Sequence, residues 1–346
     1  MNYVDRLGQN TYTNCIQGVK TVAVSGHIRP DGDCVGACLG LSAWLLDRYP
    51  ELTVDVYLDP IPEEFLFLKH ADKIRQENED DVVYDLCIAL DCSDPDRLNR
   101  ASRIFEEAAR TVCIDHHITN QGFGDRSVVC PESSSTCELL YYLFEDGRLF
   151  GSGEFSYDCA QALYLGIVHD TGVFKHNNTT LETMTAAGKL MGFGLNTEKI
   201  INDTFFRKTY LQNQLLGKAL TESILMLDGR MIFSALYQKD FRLLGASEKD
   251  TDGIIDQLRV TEGIHVALFL YETREGDFKV SLRSDEAVDV SQIAAEFGGG
   301  GHVRAAGCTM TGNMHDIVTN IATRAEMQLI DYQQARDLYP EPTQDI

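Results

Sequence analysis

The sequence predicts an α/β protein, an N-terminal doubly wound parallel sheet joined by a helical linker to a smaller mixed α/β C-terminal domain. Three observations carry that prediction. Short β-rich runs alternate with helical patterns through the first half, which is the βαβ rhythm of a parallel sheet. A stretch without strand alternation follows, and beyond it strands come in succession before a glycine run and a closing helix. The length agrees, because 346 residues at ~150 per domain correspond to about two domains. With 44% apolar and 24% charged residues, a disordered or fibrous chain is excluded.

Taken in order, Thr21–Ser25, Val54–Leu58, Leu86–Leu90, Thr111–Ile114 and Ser127–Cys130 read as strands, being short and rich in β-branched residues. Val35–Arg48, Arg97–Ala109, Ser135–Phe144 and Tyr157–His169 have apolar spacing suited to helices packed on a sheet. Residues 191–220, with GFGLNTEK and a polar helical pattern, read as the connector between a domain at 1–190 and one at 221–340. In the second part Arg230–Tyr237, His265–Tyr271 and Phe278–Arg283 read as strands, Ser291–Phe297 and His315–Gln334 as helices, with GGGGH between the helices.

Charge and cysteine content narrow the function classes. Thirty Lys and Arg against 53 Asp and Glu leave −23, a balance that repels long nucleic acid and anionic membranes. No basic-then-apolar leader stands at MNYVDRLGQNTYTNCIQ and no run reaches the ~18 apolar residues of a bilayer span, so a cytoplasmic protein is expected. None of the ten cysteines forms a C-x-x-C pair. Cys87, Cys113 and Cys159 lie in apolar stretches where a reduced thiol packs as a small hydrophobe.

In a parallel sheet ligands gather at the carboxyl ends of the strands. After TVAVS comes the sequence His27-x-x-x-Asp31-x-Asp33, after LCIAL comes Asp91, after TVCI comes Asp115-His116-His117, and after the helix ending LGIV comes His169-Asp170. A single Asp at such a place ordinarily caps a turn or helix. Four clusters at one sheet edge would bring several carboxylates together, which Coulomb repulsion opposes unless cations are present. Oxygen-rich coordination with histidine and no thiolate suits Mn²⁺ first, then Mg²⁺ or Co²⁺. Two ions sharing one carboxylate would activate a water for phosphoester hydrolysis.

These residues resemble the DHH superfamily of phosphoesterases, named for the triplet found here at Asp115–His117. His27, Asp31 and Asp33 match its first motif, Asp91 its second, the triplet its third and Asp170 its fourth; GGGGHVRAAG at Gly298–Gly307 is similar to the signature of the DHH-associated C-terminal domain. The resemblance implies a catalytic metal-binding domain at 1–190 and a substrate-binding domain at 221–340. It implies that His27 and Asp31 hold one metal, that Asp33, His116 and Asp170 hold the other, and that Asp91 bridges both. His117 would face the scissile phosphate and Asp115 would orient the neighbouring histidine. Arg283, Gly299, Gly300, Gly301 and His302 would contact the substrate across an interdomain cleft. The hydroxyls of Ser133–Thr136 would either cap a helix or meet the substrate.

Within that superfamily, the exonucleases of long single strands carry a further nucleic-acid-binding domain and a basic channel that this acidic chain does not readily accommodate. Family II pyrophosphatases have another C-terminal domain, and membrane-anchored cyclic-dinucleotide phosphodiesterases carry transmembrane segments. The compact branch similar to bacterial nanoRNases is left, with short oligonucleotides and 3′-phosphoadenosine 5′-phosphate as substrates, a homodimer as an allowed assembly, and no long nucleic acid or membrane as partner. Phosphodiesterase action on linear or cyclic dinucleotides is the alternative, and a non-catalytic nucleotide- or RNA-binding module the remote one.

Overall fold

The computed structural model describes residues 14–79 and 81–338. The N-terminal stretch read above for targeting patterns lies outside the described residues as far as residue 13, as do residues 339 and 340 of the second expected domain. The chain divides into two compact units, Met1–Arg207 and Lys208–Ile346.

In the first unit β1 (Thr21–Ser25), α1 (Gly32–Arg48), β2 (Thr53–Tyr57), β3 (Leu86–Leu90), α2 (Ser102–Glu107), β4 (Thr111–Asp115) and β5 (Arg126–Val129) are followed by α3 (Thr136–Asp146), α4 (Tyr157–Asp170), α5 (Leu181–Met191) and the short α6 (Thr197–Ile201). The strands form one sheet in the order β2-β1-β3-β4-β5, every pairing parallel. All five residues of β3 are buried, as an unbroken apolar run LCIAL requires when both faces of a sheet are covered. Val22, Val24, Ile88 and Ile114 pack beneath α1, α3 and α4, whereas Ala23, Cys87 and Ala89 pack with Leu98, Ile104 and Phe105 on the opposite face. The order in which strands are added reverses between β1 and β3, so the loops after these two strands flank the switch point of the sheet.

The segment expected as one helix at Arg97–Ala109 starts as a 3₁₀ turn, Pro95–Ala101, with Asn99 at φ 49°, and becomes α-helical only at Ser102. Helix α1 begins at Gly32, before the expected Val35, because the Asp31 side chain caps it. It also packs very closely on α4. A Cβ at Gly36 would lie 2.5 Å from the Ala162 carbonyl oxygen, a contact no alanine could make without displacing a helix.

The second unit contains α7 (Tyr210–Thr221), β6 (Ile224–Met226), β7 (Met231–Leu236), α8 (Gln238–Leu244), α9 (Ile254–Arg259), β8 (Val266–Arg274), β9 (Asp277–Ser284), α10 (Val290–Glu296), β10 (Gly300–His302), β11 (Ala305–Thr311) and α11 (Met314–Leu338). Its sheet runs β10-β11-β9-β8-β7-β6, with β7 and β8 parallel and the other neighbours antiparallel. One face, carrying Val280, Leu282 and Leu268, packs on Ile293, Ile317 and Ile321 of α10 and α11. The other, with Ala267 and Phe269, packs on Leu215 and Ala219 of α7 and on Ile254 and Leu258 of α9.

One expectation needs correction here. The stretch 191–220 is helical but is not a separate connector: α6 lies in the first unit, while α7 buries Leu215 and Ala219 in the second. The apolar face of α7 is what assigns it. In the glycine run, Gly300–His302 pairs with Ala305–Gly307 as a hairpin strand. Glycine permits this pairing because a Cβ at Gly299 or Gly301 would run into the carbonyl oxygens of Gly307 or Ala305.

Candidate metal centre and active site

The loops after β1, β3 and β4 and the C-terminal end of α4 meet at one edge of the first unit's sheet. His27 follows β1, Asp91 follows β3 in a left-handed conformation at φ 52°, Asp115 ends β4, and Asp170 ends α4. The Nε2 atom of His27 lies 3.7 Å from Asp31 Oδ2 and 3.4 Å from Asp91 Oδ2. On the other side, Nε2 of His116 lies 3.6 Å from Asp91 Oδ1 and 3.1 Å from Asp170 Oδ2. The two oxygens of Asp91 thus face two separate histidine–carboxylate groups. Asp33, wholly buried, joins the second: ligand atoms of Asp33, His116 and Asp170 lie within 4.8 Å of one another.

Each imidazole is held by its other nitrogen. His27 Nδ1 is 2.7 Å from the Ile28 carbonyl and His116 Nδ1 is 3.3 Å from the Ser133 carbonyl, so both donate there and leave Nε2 free as a donor of electron pairs. His117 donates from Nδ1 to Asp115 Oδ1 at 2.7 Å. Asp115 also accepts from the His116 backbone and, through Oδ2, from Asn120 Nδ2 at 2.7 Å. These three hydrogen bonds hold its carboxylate in place beneath the two histidines. Asp31 has two uses: Oδ1 accepts from the backbone of Asp33 and Cys34 to cap α1, leaving Oδ2 toward His27. The same carboxylate thus caps α1 and faces the His27 ring.

The electrostatics report the crowding of carboxylates. Burial, then the charges of Asp91 and Asp170, push the Asp33 carboxyl well above the usual range. Burial raises Asp170 as well, against the pull of His116. Burial would lower the imidazoles, but Asp31 and Asp91 drive His27 up to about 12, and Asp170 and Asp33 drive His116 up to about 10. Crowded buried carboxylates of this kind favour bound cations. Buried carboxylate oxygens beside imidazole nitrogens with fixed tautomers fit divalent metal ions.

Four residues that sequence reasoning did not place enter the site. Thr136 Oγ1 donates to Asp91 Oδ1 at 3.2 Å, while the backbone N–H groups of Thr136 and Cys137, the first turn of α3, donate to the two oxygens of Asp33 at 2.7 and 2.9 Å. The positive end of a helix therefore holds a buried carboxylate. Asn120 ties Asp115 to the Cys92 carbonyl. Cys34 Sγ lies with His27 and Asp91 ligand atoms within 4.8 Å, although its thiol is pushed up by burial. The S-S-S-T run was the available signal for Thr136. Its hydroxyls face inward: Ser135 caps α3 at Glu138 N, Ser133 bonds the Ser135 carbonyl, and all four residues are buried.

The second unit carries Arg283 on β9 and His302 on β10. Arg283 is in register with Ala305 and Ala305 with His302, so the two side chains share one face of the sheet at opposite ends of a three-strand row, ~10 Å apart at ~4.8 Å per strand. Between them lies only the methyl group of Ala305. Arg283 Nε also donates to Asp256 Oδ1 at 3.1 Å, an arrangement the sequence does not reveal. His302, Gly300 and Gly301 are exposed.

A parallel sheet carrying these histidines and carboxylates at its switch point, followed by a mixed sheet with the glycine hairpin, defines the class: the chain belongs to the DHH family of phosphoesterases. Residues 21–167 match the DHH family, N-terminal domain, and residues 232–327 match the DHHA1 domain. More particularly, it is 31% identical over 293 residues to the bifunctional oligoribonuclease and PAP phosphatase NrnA of Thermus thermophilus, covering 84% of each chain. It is 26% identical to the NrnA of Bacillus subtilis, over 84% of this chain and 89% of that one. The crystal structure of an exopolyphosphatase-related protein from Bacteroides fragilis has the same fold, with a TM-score of 0.80 at 24% identity over 92% of this chain and 95% of that one. All ten cysteines are free and buried, and no helix among the described residues is long and apolar enough to cross a membrane.

Proposed function

We propose that this protein hydrolyses short oligonucleotides to mononucleotides and removes phosphate from 3′-phosphoadenosine 5′-phosphate in the cytoplasm, with two divalent ions, Mn²⁺ for preference. The observation that carries the reading is Asp91, whose two oxygens face different histidine–carboxylate groups. His27 and Asp31 would hold one ion, Asp33, His116 and Asp170 the other, and Asp91 both. Bound there, the ions supply Lewis acidity and lower the pKa of an attacking water. Asp33 stays oriented by the first turn of α3, and Asp91 by Thr136. His117, fixed through Nδ1 by Asp115, presents Nε2 at a third-exposed position, suited to donating a proton to the leaving oxygen as the phosphorus–oxygen bond breaks. The hydrogen bond to Asp115 raises its pKa, which favours the proton-bearing form.

Arg283, His302 and the glycines at 299–301 are the substrate-holding residues of this reading. A row with a guanidinium at one end, an imidazole at the other and nearly bare backbone between suits a phosphate and a flat base. The relatives named as oligoribonuclease and PAP phosphatase support the substrate class, and the net charge of −23 supports short substrates over long polymers. The test is a panel of dinucleotides, 3′-phosphoadenosine 5′-phosphate, pyrophosphate, a cyclic dinucleotide and a 20-mer with Mn²⁺. Release of mononucleotides and AMP is expected, chelation should abolish it, and Mn²⁺ should restore it better than Ca²⁺. Preferential opening of the cyclic dinucleotide would instead favour the activity named for the Listeria monocytogenes cyclic-di-AMP phosphodiesterase PdeA, to which the chain is 26% identical over 43% of that protein.

A further inference from the structure

Residues Ser133 to Glu138 are buried without exception, an unusual concentration of polar side chains in the interior of a unit. Glu138 is the centre of it. Its Oε2 accepts from the Ser134 backbone N–H at 3.2 Å, from the Ser134 hydroxyl, and from the Thr183 hydroxyl of α5 at 2.7 Å. The remaining hydrogen-bonding group of the Ser134 backbone, its carbonyl, accepts from Asn178 Nδ2 at 3.0 Å. The same amide nitrogen donates its second hydrogen to the Asp170 carbonyl at 3.1 Å. Two carbonyl neighbours fix the orientation of that amide, because only its NH₂ end can serve both.

The consequence reaches the metal centre. Ser134 belongs to the turn that carries the Ser133 carbonyl to His116 and the Thr136 and Cys137 N–H groups to Asp33. Asn178 joins that turn to the backbone of Asp170. Asp33, His116 and Asp170 come from α1, the loop after β4, and the end of α4. Glu138 and Asn178, through Ser134, link the supports of all three. Among the described residues nothing comparable reaches His27 or Asp31, whose supports are the Ile28 carbonyl and the α1 cap.

We propose that Glu138 and Asn178 are positioning residues chiefly for the second ion position, setting the geometry of Asp33, His116 and Asp170 without touching metal or substrate and reaching the first only through Thr136 and the shared Asp91. The inference rests on the two-ion reading above. Outer hydrogen-bond partners of this kind are typically worth 10- to 100-fold in metal affinity.

The test is Mn²⁺ binding by calorimetry on the full chain, in two backgrounds. With His27→Ala the remaining ion reports on the second position, and with His116→Ala it reports on the first. Asn178→Ala is expected to weaken Mn²⁺ binding 10- to 100-fold in the His27→Ala background and by no more than about threefold in the His116→Ala background. Removing a buried carboxylate can unfold a chain, so Glu138→Gln serves as the second variant. It keeps an oxygen acceptor for Ser134 and Thr183 and should retain affinity within a few-fold, whereas Glu138→Leu, with no acceptor, should lose it as Asn178→Ala does. Unchanged binding in Asn178→Ala and Glu138→Leu, or equal weakening in both backgrounds, would overturn the assignment. Failure of the unmutated protein to take up two Mn²⁺ would instead remove the two-ion reading on which it stands.

Discussion

Asp91 occupies a left-handed backbone conformation at φ 52°, a place that costs a residue with a Cβ of order 1 kcal/mol and that aspartate and asparagine tolerate best. The strained position is the one from which a single carboxylate reaches both histidine groups. Asp91→Ala is therefore expected to remove activity more completely than loss of His27 or of Asp170, because one ligand is withdrawn from both ions. Asp91→Asn separates the charge from the backbone, since asparagine accepts the same conformation, and it should be nearly as inactive. Metal stoichiometry checks this. Two tightly held Mn²⁺ and near-normal turnover in Asp91→Ala would defeat the bridging assignment.

At the scale of elements, the contact of α1 with α4 decides where Asp33 lies. A Cβ at Gly166 on α4 would come within 2.6 Å of Asp33 Oδ1 and collide with Cys137 Sγ. Gly166→Ala should thus act twice, destabilising the unit by roughly 1–3 kcal/mol through overpacking and weakening metal retention by displacing a carboxylate. Thermal unfolding and Mn²⁺ binding measured on the same variant test both effects, and a change in melting alone would show that Asp33 can yield. In the second unit, Asp289 caps α10 by accepting from the Ser291 and Gln292 backbones at 2.9 and 3.3 Å. Hydrogen bonds led by the Ser291 hydroxyl hold its pKa below the usual carboxylate value. A depressed folded pKa means stabilisation present above the unfolded pKa and lost as pH falls through the folded one. Asp289→Ala should cost about 1 kcal/mol at pH 7, with the difference from the unmutated protein closing below about pH 4. Parallel denaturation curves at pH 7 and pH 3 measure it; an undiminished gap in acid would contradict the charged cap.

For the whole molecule, charge and substrate length are coupled. Under the proposed function, a chain at −23 would gain little from each added phosphate, so attraction would come from bound ions and a few side chains such as Arg283 and His302. The expected kcat/KM is highest for di- to pentanucleotides and falls for 20-mers; equal rates on both would be incompatible with this account. Arg283→Ala should lower kcat/KM on dinucleotides by roughly 10- to 100-fold, the ~1.5–3 kcal/mol of a charge-assisted hydrogen bond, with both metals retained. Its ion pair with Asp256 would temper the loss, since a substrate held there would compete for the guanidinium.

Much of this was legible in the residues. Buried parallel strands are unbroken apolar runs, so β1 and β3 lie where TVAVS and LCIAL put them, and the strand ends carry the motif residues because a short strand leaves no doubt about where its loop begins. Short elements were harder: α8 and α9 span seven and six residues and β6 three, too few for a period to emerge from polar surroundings. The strand pairing of the glycine hairpin was not legible because glycine has no side chain to register strand preference, and only the close approach of β11 reveals it. Local sequence determined which residues carry charge and nitrogen at the sheet edge. The tertiary structure alone decided that the first turn of α3 grips Asp33, that Thr136 reaches Asp91 and that Asp256 holds Arg283, because hydrogen bonds between residues 27 to 103 positions apart depend on packing that no local pattern encodes.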